Sequence, residues 1–314
     1  MLLIFSQALF AGKFCSKFEP PDGKKLVIIG QDNNTIESYI NSVNIVPAGF
    51  MVYTSIQKME GLYSESPDYG SGIIYADRLI KKYPNTVLQI GLYMVDALQD
   101  TYNGRYDENI KKMAIWLKKV NIPVFLRIGY ECDGVHNRYN PEDYKMAYRY
   151  IVDKLRSYNV NNVAYVWHVH AHKIKPELIS WYPGDKYVDW VGFSYFNQPQ
   201  IMMESAVGFA KIHQKPVMVA EGTPKGIGSK NGESSWNTWY NSFFKYIENN
   251  EIKAFSYINS NWEKQEMWRG KGWEDARVEA DETVKQRWNN EIKKDKYLKS
   301  SKELFALLEK VEKN

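Results

Sequence analysis

Cysteine is scarce: only Cys15 and Cys132 occur in 314 residues, which excludes a disulfide-stapled scaffold and a cysteine-rich zinc module. Charge of one sign is also lacking, since 41 Lys and Arg face 37 Asp and Glu. The small basic excess falls within residues 285–313, where nine basic side chains meet five acidic ones, and the rest of the chain is balanced. Such a balance provides no phosphate-tracking groove and argues against a nucleic-acid partner. No apolar run reaches the roughly 20 residues of a membrane-spanning helix, so integral membrane association is not expected. The stretch Leu2–Ala11 (LLIFSQALFA) has the length and small-residue end of a signal-peptide core but no basic residue before it. A truncated leader and a docked arm both account for residues 1–23. Linkers, short repeats and low-complexity tracts are missing, and so is any cofactor motif. The glycine pair Gly226 and Gly228 lacks the strand-then-helix setting of a phosphate loop and reads as a loop over the rim.

Aromatic residues are abundant, with 10 Trp, 23 Tyr and 13 Phe. They suit a large core and equally suit surfaces that stack on flat ligands such as sugars. Eight apolar, β-branched runs recur between turn signals, at residues 26–30, 49–54, 87–94, 124–131, 163–170, 190–196, 217–221 and 254–259. They are nearly continuous rather than alternating, as parallel strands covered on their outer face should be. Helical patterns fill the gaps at 75–83, 107–120, 141–158, 234–249 and 281–293, and a basic C-terminal helix is expected over 295–314. Acids open and lysines close the 107–120 pattern, and Asn140-Pro141 begins the next with a cap and a first-turn proline. Eight β-then-α units define a single (β/α)8 barrel spanning residues 1–314; a doubly wound sheet leaves the eighth strand unexplained.

In such a barrel the chemistry sits at the C-terminal ends of the strands. The fourth run ends in Glu131 and the seventh in Glu221, each after a proline-led apolar stretch. Two carboxylates facing across a cleft are what glycosidic cleavage requires. One, protonated, delivers a proton to the leaving oxygen; the other, ionised, attacks the anomeric carbon or activates water. Taken singly, either glutamate also fits a metal ligand or an ion-pair partner.

The segments PVFLRIGYECDG (123–134), VAYVWHV (163–169), YPGDKYVDWVGFSYFNQ (182–198), KPVMVAEGTP (215–224) and AFSYINSNWE (254–263) resemble glycoside hydrolase family 26, within the clan of retaining barrel glycosidases. The resemblance implies Glu131 as acid/base, Glu221 as nucleophile, and a β-linked polysaccharide as substrate: mannan-like, glucan, xylan or algal glycan. It also implies Tyr195 as the tyrosine that holds the nucleophile, although a strict alignment of the run puts Phe196 there. One departure is plain. Tyr130 stands before the acid/base, where family mannanases carry histidine and other clan members asparagine.

Further strand-end residues acquire expected roles in substrate binding. Arg127, four residues before Glu131, should share its face of the strand and favour an ionised carboxylate nearby, or serve as a structural ion pair. His168 is expected to bind substrate or orient the nucleophile, or to be a hydrogen-bonded structural histidine. Gln31, followed by Asp32, is placed to meet sugar hydroxyls or to make a turn. Asn259, Asn261 and Trp262 form an expected sugar platform, which Trp268 and Trp273 extend. Cys132 is read as packing. Two rivals remain: a carbohydrate-binding barrel without catalysis, and a metal-dependent hydrolase using His168, His170 and His172 on one strand face. A polymeric substrate too large to import places the expected site of action outside the cell or in its envelope. The sequence leaves oligomeric state open.

Overall fold

Eight parallel strands close on themselves in the computed structural model, which describes residues 16–309. The reading of Leu2–Ala11 falls outside these residues. In chain order the strands are β1 (Lys25–Gly30), β2 (Gly49–Ser55), β3 (Val87–Tyr93), β4 (Val124–Ile128), β5 (Val163–Val169), β6 (Trp190–Tyr195), β7 (Val217–Gly222) and β8 (Ala254–Ile258). Each pairs with the next, and β8 pairs with β1 from Leu26↔Ala254 to Gly30↔Ile258, which completes a (β/α)8 barrel. A ninth short strand, Tyr297–Leu298, pairs with the start of β1.

Alternation divides the apolar residues between two layers. On β4, Val124, Leu126 and Ile128 face the helices, while Phe125 and Arg127 point into the barrel. The outer layer is rich in rings: Trp288 packs against Tyr39, Tyr240, Phe244, Phe255 and Tyr257 and donates to the Tyr39 hydroxyl at 2.9 Å. Inside, Phe125 meets Trp190 edge-on at 5.3 Å. Phe18 covers Phe125 from below at 6.1 Å, and Trp190 Nε1 donates to the Lys17 carbonyl. The N-terminal segment from residue 16 thus closes the barrel floor, together with Leu304 and Leu308.

The helices at Asp107–Val120 and Pro141–Ser157 lie where their caps and charges place them. Four were not foreseen: the short Leu98–Tyr102 and Lys175–Leu178, and two longer ones. Asn33–Val43 starts from the Asp32 carboxylate, which accepts from the amides of Asn34 and Thr35, so its polar opening resembles a loop. Gln200–Ile212 follows Pro199 with no side-chain cap. The expected helix over 295–314 is corrected: the helix is Leu304–Glu309, because Tyr297 and Leu298 extend alongside β1 first. Among the described residues no helix is long and apolar enough to cross a membrane.

Trp288 is fully buried in the ring cluster between barrel and helices. Trp288→Ala is expected to lower the unfolding free energy by about 3–5 kcal/mol in chemical denaturation. A loss below about 1 kcal/mol would contradict this account of the outer core.

Candidate active site

Glu221 reaches the barrel interior because β7 breaks its own alternation. Val219 faces the helices and Ala220 faces inward, so a regular strand would turn Glu221 outward. Between β6 and β7, however, Phe193 pairs with Val219 and Ser194 pairs with Glu221, leaving Ala220 as an extra residue. This bulge resets the face and aims the carboxylate into the cleft. Gln89 on β3 secures it from within, donating to the Ala220 carbonyl at 2.7 Å while accepting from the Ser256 hydroxyl.

The Glu221 carboxylate then meets two donors on a single oxygen. Arg127 on β4, fully buried, pairs with Oε1, and the Tyr53 hydroxyl on β2 donates to the same atom at 2.8 Å. The guanidinium lies over the rings of Tyr53 and Tyr130, 5.1 and 5.3 Å from their centroids. Gly91 on β3 leaves the room this needs; a methyl there would come 2.5 Å from the Tyr53 ring and 2.9 Å from Arg127 Nη2.

Glu131 is not on β4 at all, since the strand ends at Ile128. The expected shared strand face with Arg127 is therefore corrected: the chain turns through Gly129 and Glu131, both left-handed at φ +56° and +52°. Asn137 Nδ2 holds the turn by donating to the carbonyls of Tyr130 and Glu131 at 2.9 and 3.0 Å, and the Cys132 amide donates to the His168 carbonyl. A non-glycine residue kept in that region costs of order 1 kcal/mol, offset here by the surrounding bonds. Glu131 Oε1 accepts from Ser194 Oγ at 2.5 Å, Oε2 lies 2.9 Å from His136 Nε2, and His170 Nε2 stands 3.8 Å from Oε1. Asp133 positions the loop bearing His170 by accepting from the backbone amides of His170, His172 and Lys173.

His168 joins the two carboxylates. Its Nδ1 is 3.2 Å from Arg127 Nη1 and its Nε2 is 3.1 Å from Ser194 Oγ. Burial, aided by the Arg127 charge, pushes its pKa well below the ordinary value, so the ring is neutral. Arginine only donates, so Nδ1 accepts, Nε2 donates to Ser194, and the Ser194 hydroxyl donates to Glu131. Burial by itself would raise the Glu131 pKa, but the His136 hydrogen bond and the field of the neighbouring imidazoles bring it down to about 2. The same hydrogen bond raises His136. Burial pushes Glu221 up against the pull of Arg127, with the Glu131 carboxylate adding to the rise. Among the described residues Arg127 pairs with no other carboxylate, so an ionised Glu221 is the form that neutralises the buried guanidinium.

Of the residues expected from sequence, Glu131, Glu221, Arg127 and His168 converge. Tyr195 does not: it faces outward among Trp239, Phe243 and Tyr246, and its inward neighbour Ser194 and distant Tyr53 take up the contacts to the two glutamates. Asn259 is fully buried and its amide is occupied by the Val278 amide and the Glu279 carboxylate, which leaves nothing for a sugar. Asn261 Nδ2 donates to Asp275, and Gln31 is buried at the end of β1. Asp32 is a helix cap. Trp262 is mostly buried, bonded to Thr223 and packed within 5.4 Å of Trp268 and 5.1 Å of Trp273. Trp273 in turn carries Lys225 over its face at 4.2 Å and touches Phe196. Phe196, Lys225 and His170 help line a groove, and His170 brings it close to Glu131. The three-histidine metal face is corrected too: His168 spends both ring nitrogens inside the barrel, and β5 ends at Val169 before His170 and His172. Tyr53, Ser194 and His136 were not anticipated; Tyr53 had a signal as a polar tip near the end of a strand, and Ser194 had one in the inward parity of β6.

A closed parallel barrel whose C-terminal rim carries two buried carboxylates with separate partners is the architecture of a glycoside hydrolase, and this chain is one. Residues 80–267 match the model of glycosyl hydrolase family 26. The chain is 32% identical over 318 residues to β-1,3-xylanase TXYA of a Vibrio species, covering 92% of this chain and 69% of that protein. It is likewise 32% identical to a β-1,3-xylanase of an Alcaligenes species, over 93% of this chain and 68% of the relative. Among solved structures, a Bacteroides ovatus family 26 β-mannanase superposes with a TM-score of 0.68 at 16% identity, over 90% of this chain and 93% of that one. A Bacillus family 26 endo-β-1,4-mannanase gives 0.66 at 14%, over 96% and 97%. The chain belongs to glycosyl hydrolase family 26.

Tyr53→Phe keeps the ring and removes one of the two hydrogen bonds on Glu221 Oε1. Loss of a bond to a charged group predicts a fall in kcat/KM of roughly ten- to a hundredfold with the fold unchanged by circular dichroism. Activity within about twofold of wild type would contradict the assignment.

Proposed function

We propose that this chain is a retaining glycosidase acting on β-1,3-linked xylan. The observation that carries the mechanism is the unequal setting of two neighbouring buried carboxylates. Glu221, held by Arg127 and Tyr53 through Oε1, attacks the anomeric carbon with its other oxygen. Glu131 protonates the departing oxygen, and the glycosyl–Glu221 ester forms as the glycosidic bond breaks. Glu131 then takes a proton from water, which attacks the anomeric carbon and frees Glu221.

The proton needed for the first step belongs to the Glu131–His136 pair. With Glu131 ionised and His136 raised, the proton rests on the imidazole, and a shift along the 2.9 Å contact yields the neutral acid. Xylan is favoured over mannan by the β-1,3-xylanase names of the 32% identical relatives, whereas the mannanases are alike at only 14–16%. Tyr130 in place of the mannanase histidine agrees with that choice. A polymeric substrate implies action outside the cytoplasm, which completes the proposal.

Reducing-end assays on β-1,3-xylan, β-1,4-xylan, β-mannans and β-glucans are expected to show the highest kcat/KM on β-1,3-xylan, with Glu131→Ala and Glu221→Ala each losing at least about a thousandfold. Faster cleavage of a mannan would overturn the substrate; binding of a glycan without cleavage would favour a carbohydrate-binding barrel. The pH profile tests the proton source. The pair loses its proton as pH rises through the His136 value, above 6.5, whereas Glu131 without His136 loses it at a carboxyl's lower pH. The basic limb of kcat/KM should therefore move to lower pH in His136→Ala, and an unmoved limb would refute this source.

A further inference from the structure

Three metal-ligating side chains converge at the mouth of the cleft: Glu131 and His136, which the proposed hydrolysis engages as a proton-carrying pair, and His170, which lines the groove. Glu131, His136 and His170 each offer one ligand atom, and all three atoms lie within 4.8 Å of one another. The His136 and His170 rings stand 5.5 Å apart, at 73° to each other. We propose that this trio is an inhibitory binding site for a transition-metal dication of the Zn2+ type, one that silences the acid/base by taking its lone pair. The inference rests on the glycosidase reading only for its inhibitory consequence; the binding itself does not.

Ligand chemistry selects the ion. Two imidazoles and a carboxylate suit Zn2+, whereas Ca2+ and Mg2+ favour all-oxygen sets. Zinc–ligand bonds of about 2.0–2.2 Å in tetrahedral geometry put neighbouring ligand atoms roughly 3.3–3.5 Å apart. His136 Nε2 lies 2.9 Å from Glu131 Oε2 and His170 Nε2 lies 3.8 Å from Oε1, and one atom from each residue fits within 4.8 Å of the others, so movements of the rings and the carboxylate complete the cage. His170 Nε2 is the nitrogen facing Glu131 and so the one that meets the ion, while Nδ1 is buried with no hydrogen-bond partner among the described residues. His136 is half exposed, so solvent gives the ion a path in. Gly134 makes the His136 placement possible: a methyl there would come 2.6 Å from Cε1 of the ring. Three protein ligands leave the fourth position open to the cleft. A bound ion occupies the Glu131 oxygen that must receive and release the proton, and it bars His136 from holding one.

Isothermal titration of metal-stripped protein with zinc chloride tests the site without any glycan. One Zn2+ per chain is expected, with affinity reduced at least tenfold in His136→Ala and in His170→Ala. His213→Ala, whose imidazole lies on the far cluster with Asp185, should bind as wild type does, and calcium chloride should give no saturable heat. Circular dichroism verifies that each variant is folded. No saturable zinc binding by wild type, or equal binding by both cleft variants, would overturn the site. On an active preparation, zinc should inhibit hydrolysis over the concentrations that fill the site, with EDTA restoring the rate; full activity of zinc-loaded protein would overturn the inhibitory role. If zinc binds as expected but no glycan is cleaved, the metal site stands and the hydrolytic reading falls.

Discussion

Everything in the cleft is arranged around one buried cation. Arg127 has no exposed surface, and a guanidinium carried out of water must find an anion or cost several kcal/mol. Glu221 is that anion: the extra residue at Ala220 turns it inward, and Gln89 and Ser256 lie beneath it as a polar brace. The tyrosines at 53 and 130 wrap the guanidinium, and Gly91 supplies the space for both the cation and its cover. The position of Glu221 is thus a consequence of charge neutralisation in a dry interior.

The second carboxylate is placed by different means. Glu131 sits on a left-handed turn beyond β4, fastened by Asn137 and by the Cys132 amide rather than by a strand ladder. It faces imidazoles instead of a guanidinium, and an imidazole can surrender its proton near neutral pH where a guanidinium cannot. The two glutamates therefore differ in what their partners can do. In the proposed mechanism Arg127 keeps the free Glu221 an anion ready to attack, while His136 lets Glu131 alternate between anion and acid. Neutral His168, with Ser194, ties the two settings together without adding charge.

What the sequence made legible followed local pattern. All eight strands appear within a few residues of their apolar runs, and the pair Glu131 and Glu221 stands at the rim as strand-end position implied. Arg127 and His168 face inward because β4 and β5 keep strict alternation up to them. The misplacements have equally specific causes. Tyr195 lies on the outward parity of β6, and alternation counted from Trp190 would have selected Ser194. The bulge at Ala220 has no signature in VMVAEG, so the inward turn of Glu221 was reached from its position at the strand's end rather than from its face. Asn259 looked like a free amide after β8, yet a segment some twenty residues later, Val278 and Glu279, occupies it. Tyr53 comes to Glu221 from 168 positions away, a contact that only barrel closure creates.

The central claim is that Glu221 becomes covalently glycosylated while Glu131 handles protons. Incubating the protein with a deoxyfluoro xylosyl fluoride that stalls deglycosylation, followed by proteolysis and mass spectrometry, reads this directly. The account predicts one adduct per chain, on the peptide that contains Glu221. An adduct on Glu131, or turnover with inversion at the anomeric carbon and no adduct, would contradict it.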